Sequence, residues 1–243
     1  MTEPSDSAKH LAESWETNAD AWTRVVRNHA IESRRMATDA AIVAAVVARS
    51  PQHVLDVGCG EGWLARELAT HGIDVLGIDG SASLIDAARR QGGSFEHLSY
   101  DQLVDEPERL PVAGFDAVVC NFSLLHEDIA PLLRAFAGLL TPGGVVLIQT
   151  VHPWLARAGS YTDGWRTESF SSFAEHFPQP MPWFYRTLSS WSDVLRLSGF
   201  TIEQIAEPAH PQTGDPLSLL IAARPTRFVL PSPSPSPSPS PSP

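Results

Sequence analysis

Asp56, Gly58, Gly60 and Asp79 have the types and the spacing to do chemistry in this 243-residue chain. The run Val54-Leu55-Asp56-Val57-Gly58-Cys59-Gly60-Glu61-Gly62 sets a carboxylate just ahead of a glycine-rich turn. A helical pattern, Trp63-Leu64-Ala65-Arg66-Glu67-Leu68, opens directly after it. Strand, tight turn and helix N-terminus in that order bring backbone amides up against a ligand. Glycines, lacking Cβ, let the chain turn sharply and let a ligand approach the main chain. About twenty residues on, Asp79 ends a second apolar run, where a carboxylate can accept hydrogen bonds from two ribose hydroxyls. The glycine order is G-x-G-x-G, whereas a dinucleotide site asks for G-x-G-x-x-G with its third glycine inside the helix. Trp63-Leu64 stand where that glycine belongs. The spacing therefore favours a cationic or zwitterionic ligand beside a carboxylate over a pyrophosphate.

The rest of the chain must position these groups. Residues 1–9 read as a frayed tail, and residues 10–27 and 31–49 as helices. Trp15 and Trp22 are seven apart and share a helix face, suited either to core packing or to a lid over a site. Strand and helix then alternate: strands at 53–57, 73–78, 94–98, 115–120 and 145–151, helices at 61–70, 81–91 and 129–140. A loop with Pro107 and Pro111 precedes the fourth strand, and Thr141-Pro142-Gly143-Gly144 reads as a turn before the fifth. Residues 152–187 break the rhythm with prolines, glycines and many aromatics, more apolar surface than a linker carries, so this insertion is expected to fold over something. A helix from Ser190 to Gly199 and strands at 200–206 and 217–223, paired as an antiparallel hairpin, complete the sheet. Five segments result: N-terminal helices forming part of a lid (1–50), a ligand-binding core (51–151), an aromatic cap (152–187), a closing helix and strand pair (188–226), and a tail (227–243). The tail's strict Pro-Ser alternation reads as disordered or polyproline-like. The alternation implies an α/β fold, a mostly parallel sheet with helices on both faces. Ligands of such sheets bind outside the carboxyl ends of the strands.

Composition narrows the partners. Acidic residues number 28 against 17 basic ones, a formal charge of −11, so a phosphate backbone offers little attraction and nucleic acid is not expected. The two cysteines, Cys59 and Cys120, suggest neither a metal site nor a disulfide framework. The N-terminus lacks a basic region followed by an apolar one, and no apolar run approaches about 18 residues, so a reducing, cytoplasmic setting is expected.

Four motifs in order resemble the class I S-adenosylmethionine-dependent methyltransferases, in the small-molecule branch that includes the ubiquinone and menaquinone biosynthesis enzymes. They are Val54 to Gly62, Gly77-Ile78-Asp79, Phe115-Asp116-Ala117-Val118-Val119, and Leu139-Leu140-Thr141-Pro142-Gly143-Gly144. The resemblance implies a Rossmann-like seven-stranded sheet of order 3-2-1-4-5-7-6 with the last strand antiparallel. It implies S-adenosylmethionine as methyl donor, with Gly58, Cys59 and Gly60 lining the methionine part and Asp56 helping to hold its ammonium. Asp79 would hold the ribose, with Gly80 in the same turn and Leu84 or Ser81 beside the adenine. Tyr100-Asp101-Gln102 would lie at the adenine edge, with Asp101 or a backbone group taking the contact usually made from Tyr100's position. Asn121-Phe122-Ser123 would follow strand four near the sulfonium; the Asn/Asp-Pro-Pro-aromatic motif of many nucleic-acid amino-methyltransferases is missing there.

Methyl transfer asks little beyond in-line positioning and, for a protonated acceptor atom, a general base. His126 follows strand four and His152 follows strand five, so both are candidate bases, though either could be a packing histidine. Trp22, Trp154, Trp165, Trp183 and Tyr185 are candidate acceptor contacts, with Arg166 and Arg186 as cationic handles for a carboxylate. The reading is a methyltransferase acting on oxygen, nitrogen or carbon of a small acceptor. A dinucleotide-dependent oxidoreductase of the NAD type and a non-catalytic S-adenosylmethionine-binding partner protein are the alternatives.

Overall fold

The computed structural model describes residues 6–112, 114–157 and 159–226. The expected Pro-Ser tail and the first five residues lie outside them. Two helices, α1 (Asp6–Thr17) and α2 (Ala19–Arg27), replace the single predicted helix, and α1 begins inside the stretch expected to fray. A π-helical turn (Arg34–Thr38) leads into α3 (Asp39–Val47).

The core follows as β1 (His53–Val57), α4 (Trp63–Thr70), β2 (Asp74–Asp79), α5 (Ala82–Arg89) and β3 (Ser94–His97). Next come α6 (Tyr100–Asp105), β4 (Phe115–Asn121), α7 (Ala130–Leu139) and β5 (Leu140–Val151). Helix α6 lies where only a loop was expected. Its start is set by a capping box in which Ser99 Oγ accepts the Gln102 N–H and the Gln102 side chain accepts the Ser99 N–H. Residues Thr141–Gly144, predicted as a turn, belong to β5, because Leu140 pairs with Phe115 before the register shifts at Ala117.

The insertion forms a two-stranded antiparallel hairpin, β6 (Gly164–Glu168) with β7 (Met181–Tyr185). Then α8 (Leu188–Leu197), β8 (Phe200–Ala206) and β9 (Ser218–Pro225) close the sheet. Its order is β3-β2-β1-β4-β5-β9-β8, the predicted topology once the extra hairpin is set aside. All pairs from β3 to β5 are parallel, and β9 runs antiparallel to β5 and β8.

The central strands are apolar on both faces because both are covered. On one face Leu55, Val118, Val146 and Ile221 pack with Leu133 and Phe136 of α7 and with Trp191 of α8. On the other, Val54, Val119 and Leu147 pack with Ile42 and Val46 of α3 and with Leu64 and Leu68 of α4. A separate cluster joins Leu11, Trp15 and Trp22 of the N-terminal helices to Phe170, Phe173, Phe177, Met181 and Trp183 of the insertion. The two segments outside the α/β alternation thus share one apolar core.

Candidate active site

The carboxyl ends of β1, β2 and β4 converge on the glycine turn. Gly58 and Gly60 take φ of +73° and +59°, the left-handed region that disfavours side chains. Gly58 is crowded by its own chain: an added Cβ would lie 2.4 Å from Ser123 Cβ and 2.9 Å from Tyr100 Oη. Ser123 is fixed there by a 2.6 Å hydrogen bond from Oγ to the Val57 carbonyl, and Tyr100 donates its hydroxyl to the Ser123 carbonyl at 3.0 Å. Gly62 meets the Phe95 ring instead of a ligand face. Gly60 is different. Among the described residues, only Trp22 Nε1 lies within 4 Å of its missing Cβ, at 4.0 Å. Main chain is open there, under an indole brought by α2.

Two carboxylates flank this opening. Asp79 accepts the Gly60 N–H at 2.9 Å on one oxygen and the Ser81 N–H at 2.8 Å on the other. Burial raises its pKa above the usual carboxylate value, and those two amides offset only part of the rise. Asp56 is 1% exposed, and its Oδ2 is buried without a hydrogen-bond partner. Burial, with repulsion from Asp79 added, lifts its pKa to about 7 against the opposing charge of Arg34. A buried carboxylate oxygen with no donor is costly, and a cationic ligand would satisfy it. Cys59 turns inward, its sulfur 2.9 Å from the Cβ position of Gly77, so only its main chain faces the turn.

Most of the other expected contacts have side chains bonded within the chain or buried. Ser81 Oγ caps α5 by accepting the Leu84 N–H and donates to Glu16 of α1 at 2.6 Å. Leu84 is buried. Gly80 offers its carbonyl to His97 Nε2 at 3.0 Å. Gln102 spends its amide in the capping box, and Asp101 lies exposed in the first turn of α6. Asn121 Oδ1 accepts from Gln149 Nε2 at 2.8 Å, and the N–H of Phe122, itself at φ +55°, donates to the Gln149 carbonyl.

The His126 ring lies 5.2 Å from that of Tyr100 in a tilted contact, and burial lowers its pKa; its Nδ1 is buried without a partner. His152 is held through Nε2 by Glu207 at 2.8 Å, leaving a buried, unpartnered Nδ1. In the insertion, Trp183 joins the cluster around Trp22, and Trp165 donates Nε1 to Glu127 at 3.2 Å. Tyr185 is buried and donates to the Pro153 carbonyl at 2.7 Å. Trp154 faces outward at 57% exposure under the Arg157 guanidinium. Arg166 Nη2 bonds the carbonyls of Arg157, Ser160 and Thr162, which ties it to the insertion's own loop.

Sequence reasoning missed three anchors. Glu16 accepts hydrogen bonds from both Ser81 and Ser83 at the start of α5, and these outweigh burial to keep its pKa low. Glu61, buried inside the glycine motif, pairs with Arg27 of α2 at 2.8 Å and with Arg66 at 2.7 Å. Gln149 ties β5 to Asn121 and to the Thr38 carbonyl. A charged residue within an apolar helix start was the available signal for Glu61; the others depend on contacts distant in sequence.

A model of the methyltransferase domain family matches residues 8–205. The chain belongs to that family. This methyltransferase-domain chain is 40% identical over 113 residues to an uncharacterized methyltransferase of Mycobacterium bovis, covering 45% of this chain and 56% of that protein. It is 36% identical over 104 residues to the ubiquinone biosynthesis O-methyltransferase of Coxiella burnetii, covering 42% and 44%. It therefore spans about half the length of the curated relatives it matches. Among solved structures, an S-adenosylmethionine dependent methyltransferase from Mesorhizobium loti aligns with TM-score 0.57 and 26% identity over 74% of this chain and 95% of that one. The 1,6-didemethyltoxoflavin-N1-methyltransferase of Burkholderia thailandensis shares the fold over 93% of this chain and 92% of its own, with TM-score 0.64 and 22% identity.

Proposed function

We propose that this methyltransferase-domain protein transfers a methyl group from S-adenosylmethionine to oxygen, nitrogen or carbon of a small-molecule acceptor. The observation that carries the reading is the unpartnered buried oxygen of Asp56 at the end of β1, together with the open main chain of Gly60 in the turn that follows. Family membership and the likeness to the Mesorhizobium loti enzyme support it. When bound, S-adenosylmethionine supplies an electrophilic methyl group on a sulfonium that is already a good leaving group.

The chain's own residues would do the following. Asp56 accepts from the ammonium of the amino-acid end, and the backbone of residues 58–60 lies along it. Asp79 uses the lone pairs left over from Gly60 and Ser81 for the ribose hydroxyls. Ser81, Leu84 and the Tyr100-Asp101-Gln102 turn form the adenine side; the polar side chains of Ser81, Tyr100 and Gln102 are engaged, which leaves backbone and the exposed carboxylate of Asp101 for the contact. Trp22 covers Gly60 and excludes water, which strengthens the electrostatics beneath it. His126, kept neutral by burial, takes a proton from an acceptor atom that carries one. His152 is the second candidate base, oriented by Glu207. Residues 1–50 and 152–187 act as the lid, joined by their shared aromatic core. Trp165, Trp183 and Tyr185 belong to its acceptor side.

A small acceptor and a cytoplasmic setting complete the reading; the acidic charge supports the first. The ubiquinone O-methyltransferase and the toxoflavin N-methyltransferase, by their names, act on small molecules.

Calorimetry with S-adenosylhomocysteine and with NAD tests the donor. Binding of the first alone supports the reading, and binding of NAD alone replaces it with the dinucleotide alternative. Transfer of a deuterated methyl group into a metabolite extract, read by mass spectrometry, then separates an enzyme from a binding protein that does not turn over.

A further inference from the structure

Arg186 is a buried cation whose charge is only partly matched. It is 4% exposed, directly after β7, between the rings of Phe184 (4.9 Å) and Trp191 (5.3 Å). Its Nη2 donates to the carbonyls of His126 and Glu127, which ties the insertion to the loop after β4. Its Nη1 is buried with no acceptor.

The carboxylates near enough to feel its charge, Asp163, Asp128 and Glu127, are all engaged elsewhere. Asp163 accepts the Thr187 N–H at 2.8 Å, Asp128 the Ala130 N–H at 3.1 Å, and Glu127 the Trp165 indole at 3.2 Å. None of the described residues offers Arg186 a carboxylate within ion-pair distance. A desolvated guanidinium left in that state is expensive, and a structural clamp would need only the two carbonyls.

The same loop holds a second unmatched group, Nδ1 of His126, whose own carbonyl is one of the two that Arg186 binds. Aromatic surface lies beside both: Trp165 sits edge-to-face with Phe184 at 5.6 Å, and Tyr100 lies against the His126 ring. A cation, a proton-accepting nitrogen and flat apolar walls thus meet at one seam.

We infer that the acceptor is a planar aromatic acid, its carboxylate seated on Arg186 and its ionisable hydroxyl presented to His126. The inference deepens the methyltransferase reading and rests on it. Guanidinium suits this task because its rigid fork matches a carboxylate and its plane tolerates flanking rings.

The test uses the full chain with S-adenosylhomocysteine at saturation, its binding verified first by calorimetry. Failure at that step counts against the donor reading, not against the acceptor class. Salicylate and its neutral isostere salicylamide are then titrated while the tryptophan indole N–H signals are followed by heteronuclear NMR. We expect salicylate to shift the Trp165 indole and to bind at least about tenfold more tightly than salicylamide, one charge-assisted hydrogen bond's worth. Arg186→Gln should erase the difference and Arg186→Lys should keep part of it. Equal binding of the two probes, or no indole shift from either, overturns the inference. Should Arg186→Gln fail to fold, the comparison of the two probes on the unaltered protein still decides.

Discussion

Gly60 donates its backbone N–H to Oδ2 of Asp79 at 2.9 Å, so the acid that ends β2 holds the glycine turn that follows β1. The other oxygen of Asp79 holds the Ser81 N–H, just ahead of α5. One carboxylate therefore sets the shape of both loops that would meet the donor.

Replacing that carboxylate should loosen both loops. A hydrogen bond to a charged group contributes about 1.5–3 kcal/mol. Asp79→Asn, which must turn an amide N–H toward one of two donors, is expected to weaken S-adenosylhomocysteine binding by at least about tenfold. Calorimetry measures the affinity and urea unfolding the accompanying loss of stability.

Gly60→Ala separates binding from folding. The added methyl meets nothing closer than Trp22 Nε1, so the cost to the fold is the left-handed backbone alone, about 1–2 kcal/mol. Affinity for S-adenosylhomocysteine should fall far more steeply, because the methyl occupies the open face. A folded variant with undiminished binding would place the donor elsewhere.

Asp56 makes the ligand-free protein sensitive to pH. Its folded carboxyl keeps its proton up to about pH 7, whereas the unfolded one releases it near pH 4. Its contribution to stability is therefore fully present below about pH 4 and lost as pH rises through about 7. Asp56→Asn lacks this titration, so thermal melts should show the variant gaining on the unaltered protein between about pH 4 and pH 7. In the same range the unaltered protein should bind S-adenosylhomocysteine more tightly as pH rises, and the variant should not.

Glu16 bonds Ser81 and Ser83 from outside the sheet, fastening α1 to the start of α5. Glu16→Gln removes a charged acceptor at a helix N-terminus, worth about 1 kcal/mol. Faster hydrogen exchange across α1 and α2 and faster release of S-adenosylhomocysteine in stopped-flow are expected. Unchanged release would mean that these helices do not gate the donor.

His126→Gln and His152→Gln distinguish the two candidate bases. Burial holds the His126 pKa below its usual value, so its imidazole is neutral and ready to accept a proton. With an acceptor in hand, His126→Gln should lower kcat/KM by about 10²–10⁴ and remove the acid limb of its pH profile. His152, already bound to Glu207, should cost less.

Much of this was legible in the residues. Periodic apolar runs placed the strands of the main sheet within one or two positions, except that β5 begins five residues before its expected start, because strands covered on both faces leave an unbroken apolar record. The glycine spacing and the two aspartates marked the turn because backbone dihedrals and carboxylate chemistry are local properties. Helix α6 was missed although Ser99 and Gln102 spell its cap, since the neighbouring prolines Pro107 and Pro111 read as loop. The β6–β7 hairpin was missed because its strands pair across an irregular stretch rich in aromatics, with no alternation to betray them.

The sequence by itself determined the fold and the place of the glycine turn at the end of β1. Only the tertiary structure decided which side chains remain free to act. The side chains of Ser81 and Gln102, expected at the adenine, are bonded to Glu16 and to the Ser99 N–H, and Arg186, one of two expected cationic handles, has an unmatched Nη1. Turn and strand preferences belong to neighbours in the chain, whereas the filling of a hydrogen-bonding site depends on partners such as Glu16 and Ser81, 65 residues apart.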